Sequence, residues 1–258
     1  MDRPLILLTN DDGAHAAGIR ALREAVQHLG EVVLVAPTYE QSGMSHAITI
    51  DRPLRHVDLG DGMHSIDGTP ADCVYLALFE SRFLGRRPDL VLSGINHGGN
   101  LGTGVFYSGT VAGAREAAMR GIPALALSMA QMDEPGSTVN VQAAAELSAE
   151  LAERLLKATP EEGQATLLNV NFPAAPYAGV RVTQVGRQVY EENVIPRRDP
   201  GGREYFWIGG RPKDDGQVDN SDAKAIADGY VSVTPLQLEV TKTEHLSMAA
   251  LVAGTEAS

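Results

Sequence analysis

The sequence holds one cysteine, Cys73, in 258 residues, which excludes an intramolecular disulfide and makes a cytoplasmic setting the expectation. It has no apolar run near the roughly 18 to 20 residues that span a bilayer, so no membrane anchor is expected. Met1 leads into Asp-Arg-Pro rather than into a basic segment with a long apolar stretch, so no targeting leader is expected either. Positive charge is scarce: 21 Lys and Arg face 33 Asp and Glu, a formal net charge of −12. Without a basic stripe, a nucleic-acid polymer is not an expected partner. What the chain does have is an ordinary globular composition, 43% hydrophobic and 21% charged, far from the signature of disorder. Its length suffices for one sizeable core with an appendage.

Short aliphatic runs at Leu5–Leu8, Val32–Ala36, Leu90–Leu92 and Ala124–Leu127 are closed by polar, Gly or Pro residues and read as strands buried on both faces. Between them the spacing is helical, as in Ile19, Leu22, Val26 and Leu29. Strand alternating with helix predicts an α/β fold, a Rossmann-like layered domain with a mostly parallel sheet flanked by helices. Thr69-Pro70-Ala71-Asp72 predicts a helix start, with Thr69 as N-cap and Pro70 in the first turn, running to about Phe83. Leu147, Leu151 and Leu155 recur every fourth residue in a longer helix expected over Thr138–Lys157. Leu167–Phe172 predicts another strand.

Beyond it the texture changes. Val180–Val185, an Arg-, Gly- and Pro-rich stretch over Arg197–Arg211 and the polar Lys213–Asp222 predict an extended C-terminal hairpin or arm. Tyr230–Thr234 returns to strand character, Leu246–Val252 reads as a short helix, and Gly254–Ser258 reads as a frayed tail. The expected division is an α/β catalytic domain over 1–180 and an arm with its returning strand and helix over 181–258, packed on a partner subunit.

The run Leu5 to Gly13 puts Asp11 and Asp12 just past a buried parallel strand, where ligands of open α/β sheets bind. Adjacent carboxylates repel unless a cation neutralises them, and an oxygen-only donor set favours Mg²⁺ or Mn²⁺. Asn-Asp-Asp-Gly is equally good turn chemistry. After the second strand, Ser42 lies in a small-residue loop and offers a hydroxyl to a metal or phosphate, although a serine there also suits a plain turn. Asp89 to Gly104 is a strand feeding a long glycine-rich loop in which Asn96 offers a neutral carbonyl. That loop leads to Ser108-Gly109-Thr110 and a helix over Val111–Arg120. Helix N-terminal N–H groups form an anion site, and Gly109 permits close approach of a phosphate. Loops of this length in compact domains are usually functional.

These segments together resemble the stationary-phase survival protein SurE family of metal-dependent 5′/3′-nucleotidases. The matching motifs are LLTNDDG at Leu7–Gly13, AP and QSG within Ala36–Gly43, GTPADCV at Gly68–Val74, LVLSGINHGGNLG at Leu90–Gly102, YSGTV at Tyr107–Val111, LNVNFP at Leu168–Pro173 and GYVSVTPL at Gly229–Leu236. They stand in family order and span nearly the whole chain. The resemblance implies that Asp11, Asp12, Ser42 and Asn96 coordinate one divalent ion and that Ser108, Gly109 and Thr110, with Asn96, lie at the substrate phosphate. It also implies a nucleoside monophosphate substrate, activity on short polyphosphate, and a homodimer or homotetramer built through the arm. Gly104 departs from the family, which commonly has Asp there.

Other residues carry less. His15, His46, His97 and His245 lie in polar segments where solvated surface is the ordinary role, with His46 and His97 the stronger acid–base candidates because they lie in motif loops. Cys73 reads as a small core residue. Arg197, Arg198, Arg203 and Arg211 read as arm charge, whereas Phe206 and Trp207 are costly to leave in water and point to a packing partner. An aspartyl-phosphate phosphatase would need an Asp where Asn10 stands, and the loop glycines do not fit the dinucleotide fingerprint. A non-catalytic metal- and nucleotide-sensing module is the alternative from another class.

Overall fold

The computed structural model describes residues 3–130, 137–158, 165–190, 193–209, 212–214 and 218–255. The first half runs β1 (Leu5–Thr9), α1 (Ala17–Val26), β2 (Glu31–Pro37), β3 (His56–Gly60), β4 (Met63–Ile66), α2 (Pro70–Phe79), β5 (Leu90–His97) and, after a 3-10 turn at Gly102–Phe106, α3 (Gly109–Met119). The second runs β6 (Ala124–Met129), α4 (Ser137–Lys157), β7 (Leu167–Phe172), β8 (Gly179–Val182), β9 (Gln188–Tyr190), β10 (Asn193–Arg198), β11 (Glu204–Gly209), β12 (Pro212–Asp214), α5 (Asp222–Ala227), β13 (Tyr230–Pro235) and α6 (Leu246–Ala253). Arg211 and the last residues of the tail lie outside the described residues. Among the described residues no helix is long and apolar enough to cross a membrane.

Nine strands form one sheet in the order β3-β4-β2-β1-β5-β6-β7-β13-β8. Its centre is parallel, from β4 through β7. Antiparallel pairing enters where β3 folds back on β4 and where β13 returns beside β7. The apolar runs that predict two-sided burial do pack on two faces. Ile6 and Leu8 of β1 belong to the core under α1 and α4, while Leu5 and Leu7 belong to the core under α2 and α3. This alternation makes a three-layer α/β sandwich.

The helix after Thr69 starts where predicted. The Thr69 hydroxyl accepts the Asp72 N–H at 3.1 Å and Asp72 Oδ2 accepts the Thr69 N–H at 2.9 Å, a reciprocal cap that satisfies two orphan donors. It ends at Phe79 rather than near Phe83, because Glu80 takes an extended conformation. The fifth strand is longer than Leu90–Leu92: it continues through Gly94 to His97, so Asn96 sits on the sheet instead of in the loop. Gly18 lets α1 close on it, since a Cβ there would lie 1.9 Å from the Ile95 carbonyl oxygen.

The position of β1 within the sheet sets where a ligand can enter. The chain steps outward from β1 to β2 and β4, then crosses to the other side of β1 as β5. The carboxyl ends of β1 and β5 therefore flank a topological switch point, the place where doubly wound sheets open a crevice.

Candidate active site

Asp11 and Asp12 follow β1 after one residue, Asn10. Asp11 is only 4% exposed, and the Thr110 hydroxyl, itself fully buried, donates to its Oδ1. Burial pushes the Asp11 carboxyl up from the ordinary 3.8 to about 6, hydrogen bonds from Thr110 pull it partly back, and the neighbouring Asp12 charge adds to the rise. Asp12 is more open. Burial raises its pKa and the charge of Glu40 adds to that, against the N–H of His97, which donates to its Oδ2 at 3.0 Å. The end of β5 is thus clamped to the acidic pair.

The helix α3 is aimed at Asp11. Ser108 is its N-cap and accepts the Val111 N–H at 3.0 Å. A Cβ on Gly109 would stand 2.9 Å from the Asp11 Cβ and 3.0 Å from its Oδ2, so a bare Cα is required for the first turn to reach the carboxylate. Gly109 accordingly has a second reason to be glycine besides room for a phosphate. The Thr110 side chain is spent on holding Asp11.

Asn96 is largely buried and donates its amide nitrogen to the Gly98 carbonyl at 2.7 Å, and its side-chain oxygen accepts no hydrogen bond among the described residues. Ser42 is exposed and donates to Glu40 Oε1 at 2.8 Å. Its loop is tied to the site by the Gln41 N–H, which donates to the Asp11 carbonyl at 2.7 Å. The structure therefore brings Asp11, Gly109 and Thr110 together, ties Asp12 to the His97 N–H one residue beyond Asn96, places Ser42 one residue from a tie to Asp11, and turns its hydroxyl to Glu40. Glu40 was not singled out by sequence; its only signal was the acid beside the small-residue loop.

The buried oxygens fit a hard divalent ion. Among the described residues Asn10 Oδ1 is buried without a partner beside Asp11, the Asn96 oxygen accepts no hydrogen bond, and burial chiefly, with neighbouring negative charge added, holds two adjacent carboxylates above their ordinary pKa. Among the described residues no cluster of three or more His, Cys, Asp or Glu is placed to hold a metal, so an ion at this site would rely on neutral oxygens beside the two carboxylates.

The glycine-rich loop is pinned, not slack. Asn100 donates its N–H to Asn171 Oδ1 and its side-chain nitrogen to Ser128 Oγ, both at 2.8 Å, and its carbonyl accepts from Asn169 at 2.8 Å and Asn171 at 3.2 Å. Asparagines alternating inside the buried strand β7 were the readable sign of this network. Gly104 is buried within the 3-10 turn, its carbonyl accepting the N–H groups of Tyr107 and Ser108.

Of the remaining candidates, His97 borders this site through its backbone N–H on Asp12. His46 pairs with Glu116 Oε2 at 3.0 Å, and Glu116 also holds Arg120 at 3.0 Å. His15, His97 and His245 are exposed. Cys73 is fully buried, with its thiol pushed well up by burial, so it is no nucleophile. In the arm, Arg203 pairs with Asp199 and Arg198 with Glu204, Arg197 bonds the Pro196 carbonyl, and Phe206 and Trp207 stand 62% and 63% exposed.

A family profile described as survival protein SurE matches residues 6–192. The chain is 48% identical over 254 residues to a protein named 5′-nucleotidase SurE from Sorangium cellulosum, covering 97% of this chain and 96% of that one. It is 45% identical to another of the same name from Pelobacter propionicus, covering 92% and 94%. A crystal structure of SurE protein from Aquifex aeolicus superposes with a TM-score of 0.82 at 38% identity, over 97% of this chain and all of that one.

Proposed function

The chain belongs to the SurE survival-protein family, and from that premise we propose that it is a divalent-metal-dependent phosphomonoester hydrolase that releases phosphate from nucleoside 5′-monophosphates. The observation that supports the reading is the buried Asp11 carboxylate set against the N-terminus of α3 at the sheet's switch point, with Asp12 next to it in sequence and tied to the end of β5, one residue after Asn96. Two carboxylates would repel a phosphate unless a cation stood between them.

Asp11, Asp12, Ser42 and Asn96 would hold the ion, Mg²⁺ or Mn²⁺, the Ser42 oxygen keeping lone pairs for it while its proton goes to Glu40. When bound, the ion supplies charge neutralisation and Lewis acidity. Thr110 keeps Asp11 in one orientation, which fixes the donor geometry. At the N-terminus of the helix capped by Ser108, the Gly109 N–H holds a phosphate oxygen and offsets charge that develops there, while the Thr110 N–H is given to Asp11. Asp12, the more solvent-accessible of the pair, orients the attacking water and takes its proton.

The β10–β11 hairpin and α6 are the surface a second copy covers, giving a homodimer or homotetramer, whereas β13 returns to the sheet between β7 and β8. Val194, Phe206, Trp207 and Ile208 of the β10–β11 hairpin and Leu251 and Val252 of α6 are exposed, with Ile208 at 93%. The lone, buried Cys73 suits a cytoplasmic setting.

The deciding experiment is phosphate release from a panel of nucleoside 5′- and 3′-monophosphates and short polyphosphate, with Mg²⁺, Mn²⁺ or a chelator. Metal-dependent turnover of 5′-monophosphates is expected. Nucleotide binding without turnover under every metal would identify a sensing module instead.

A further inference from the structure

We propose that Asp222 is a positioning residue for this site, fixing the glycine-rich loop through Gly102 and making the placement of that loop depend on the root of the C-terminal arm. The inference rests on the reading of the site as catalytic, but its geometry is independent of any activity. Asp222 opens α5 and is 0% exposed. Its Oδ2 accepts the Gly102 N–H at 2.8 Å, and its Oδ1 accepts the N–H groups of Gly186 at 2.9 Å and Ala223 at 2.8 Å. A buried carboxylate is tolerated only when its acceptors are filled, and here backbone donors from two distant segments fill them.

One of those segments leads to the site. Gly102, at a φ of +51°, begins the 3-10 turn that ends just before the α3 cap Ser108. Between Asn96 and Ser108 the loop is held at Gly98 by the Met129 carbonyl, at Asn100 by β6 and β7, and at Phe106 and Tyr107 by Ser45, while at Gly102, where the 3-10 turn begins, the tie is made by Asp222. The other segment leads to the arm. The Asp222 N–H donates to the Gln184 carbonyl and the Gln184 N–H to the Asn220 carbonyl, both at 3.0 Å, which holds residues 184–186 against 220–222. Gly186 fits so closely that a Cβ there would lie 2.9 Å from Asp222 Oδ1. From Gly186 the chain continues into β9, which packs on the Gly102–Phe106 turn. A single carboxylate therefore joins the loop bearing the site to the segment from which the arm departs.

Two variants of the full-length chain test this from opposite sides. Asp222→Asn replaces one acceptor oxygen by a donor that faces a backbone N–H, so at least one tie is lost. Gly186→Ala presses on Oδ1 from the arm side and leaves the site loop unaltered. Hydrogen–deuterium exchange of the metal-free protein is measured beside kcat, KM and the half-saturating Mn²⁺ concentration with AMP, all well below the thermal transition. Faster exchange across residues 98–106 in both variants is expected, with higher KM and Mn²⁺ requirement and kcat/KM lowered on the order of 10- to 100-fold, the scale for small misplacements of reacting groups. Exchange changes confined to residues 184–190 and 218–227, with kinetics unchanged, would overturn the proposal and leave Asp222 a local structural tie. If Asp222→Asn fails to fold, Gly186→Ala decides alone. Absence of wild-type turnover would sink the catalytic reading, and the exchange pattern would still judge the tether.

Discussion

Replacing Asp11 by Asn should make the metal-free protein more stable at neutral pH while removing its activity. The Asp11 carboxyl is raised from 3.8 to about 6 by burial, so folding favours its protonated form. The stability this group contributes is fully present below 3.8 and is lost as pH rises through about 6, leaving a constant penalty above that. A shift of about two units at 1.36 kcal/mol each sets that penalty near 3 kcal/mol. Asn is neutral at every pH and keeps an oxygen for the Thr110 hydroxyl, so the variant escapes the penalty without losing that bond. For a chain of this size about 3 kcal/mol corresponds to roughly 5 to 10 °C in Tm. Thermal unfolding in chelator at pH 4 and pH 7.5 gives the answer: the variant should melt several degrees above wild type at pH 7.5 and close to it at pH 4. Saturating Mn²⁺ should then raise the wild type and leave the variant nearly unmoved, because ligand binding stabilises only the form that binds. A Tm difference equal at both pH values, or a variant less stable at pH 7.5, would refute the reasoning.

Thr110→Val removes the hydroxyl that steadies Asp11, and Mn²⁺ affinity by titration should fall on the order of 10-fold, with Thr110→Ser restoring it. Ser108→Ala removes the α3 cap; a loss of about 1 kcal/mol in denaturant unfolding is expected. Trp207→Glu puts a charge on the exposed arm hairpin, and light scattering should move from a multiple of the 27.4 kDa chain mass toward the mass of one chain. An unchanged mass would remove Trp207 from the interface.

The elements most legible in the sequence were those whose signal is local. The β1 run is apolar on both faces, and the Thr69-Pro70-Ala71-Asp72 start carries its whole mechanism in four residues. Gly94 hid the length of β5, because a glycine after an apolar run reads as the end of a strand, yet pairing with β6 resumes at Asn96 after an irregularity. The β3–β4 hairpin escaped notice because His56–Gly60 and Met63–Ile66 are short and partly polar at the sheet edge. The α5 helix has six residues, too few to show a period. At the site, Asp11, Asp12, Asn96 and Gly109 could be nominated from local chemistry and family resemblance. Their mutual arrangement could not be read locally. The Thr110–Asp11 bond spans 99 residues and the Gly102–Asp222 tie 120, and only the assembled fold brings those positions within reach.

The central claim is that Asp11 and Asp12 hold the ion on which phosphate release depends. Its most direct test is release from AMP by wild type, Asp11→Asn and Asp12→Asn, with Mg²⁺ or Mn²⁺ and with chelator. The account predicts turnover by wild type that chelator abolishes and added ion restores, and no divalent-dependent release by either folded variant. Near-normal turnover in both variants, or a wild type indifferent to chelator, would contradict it.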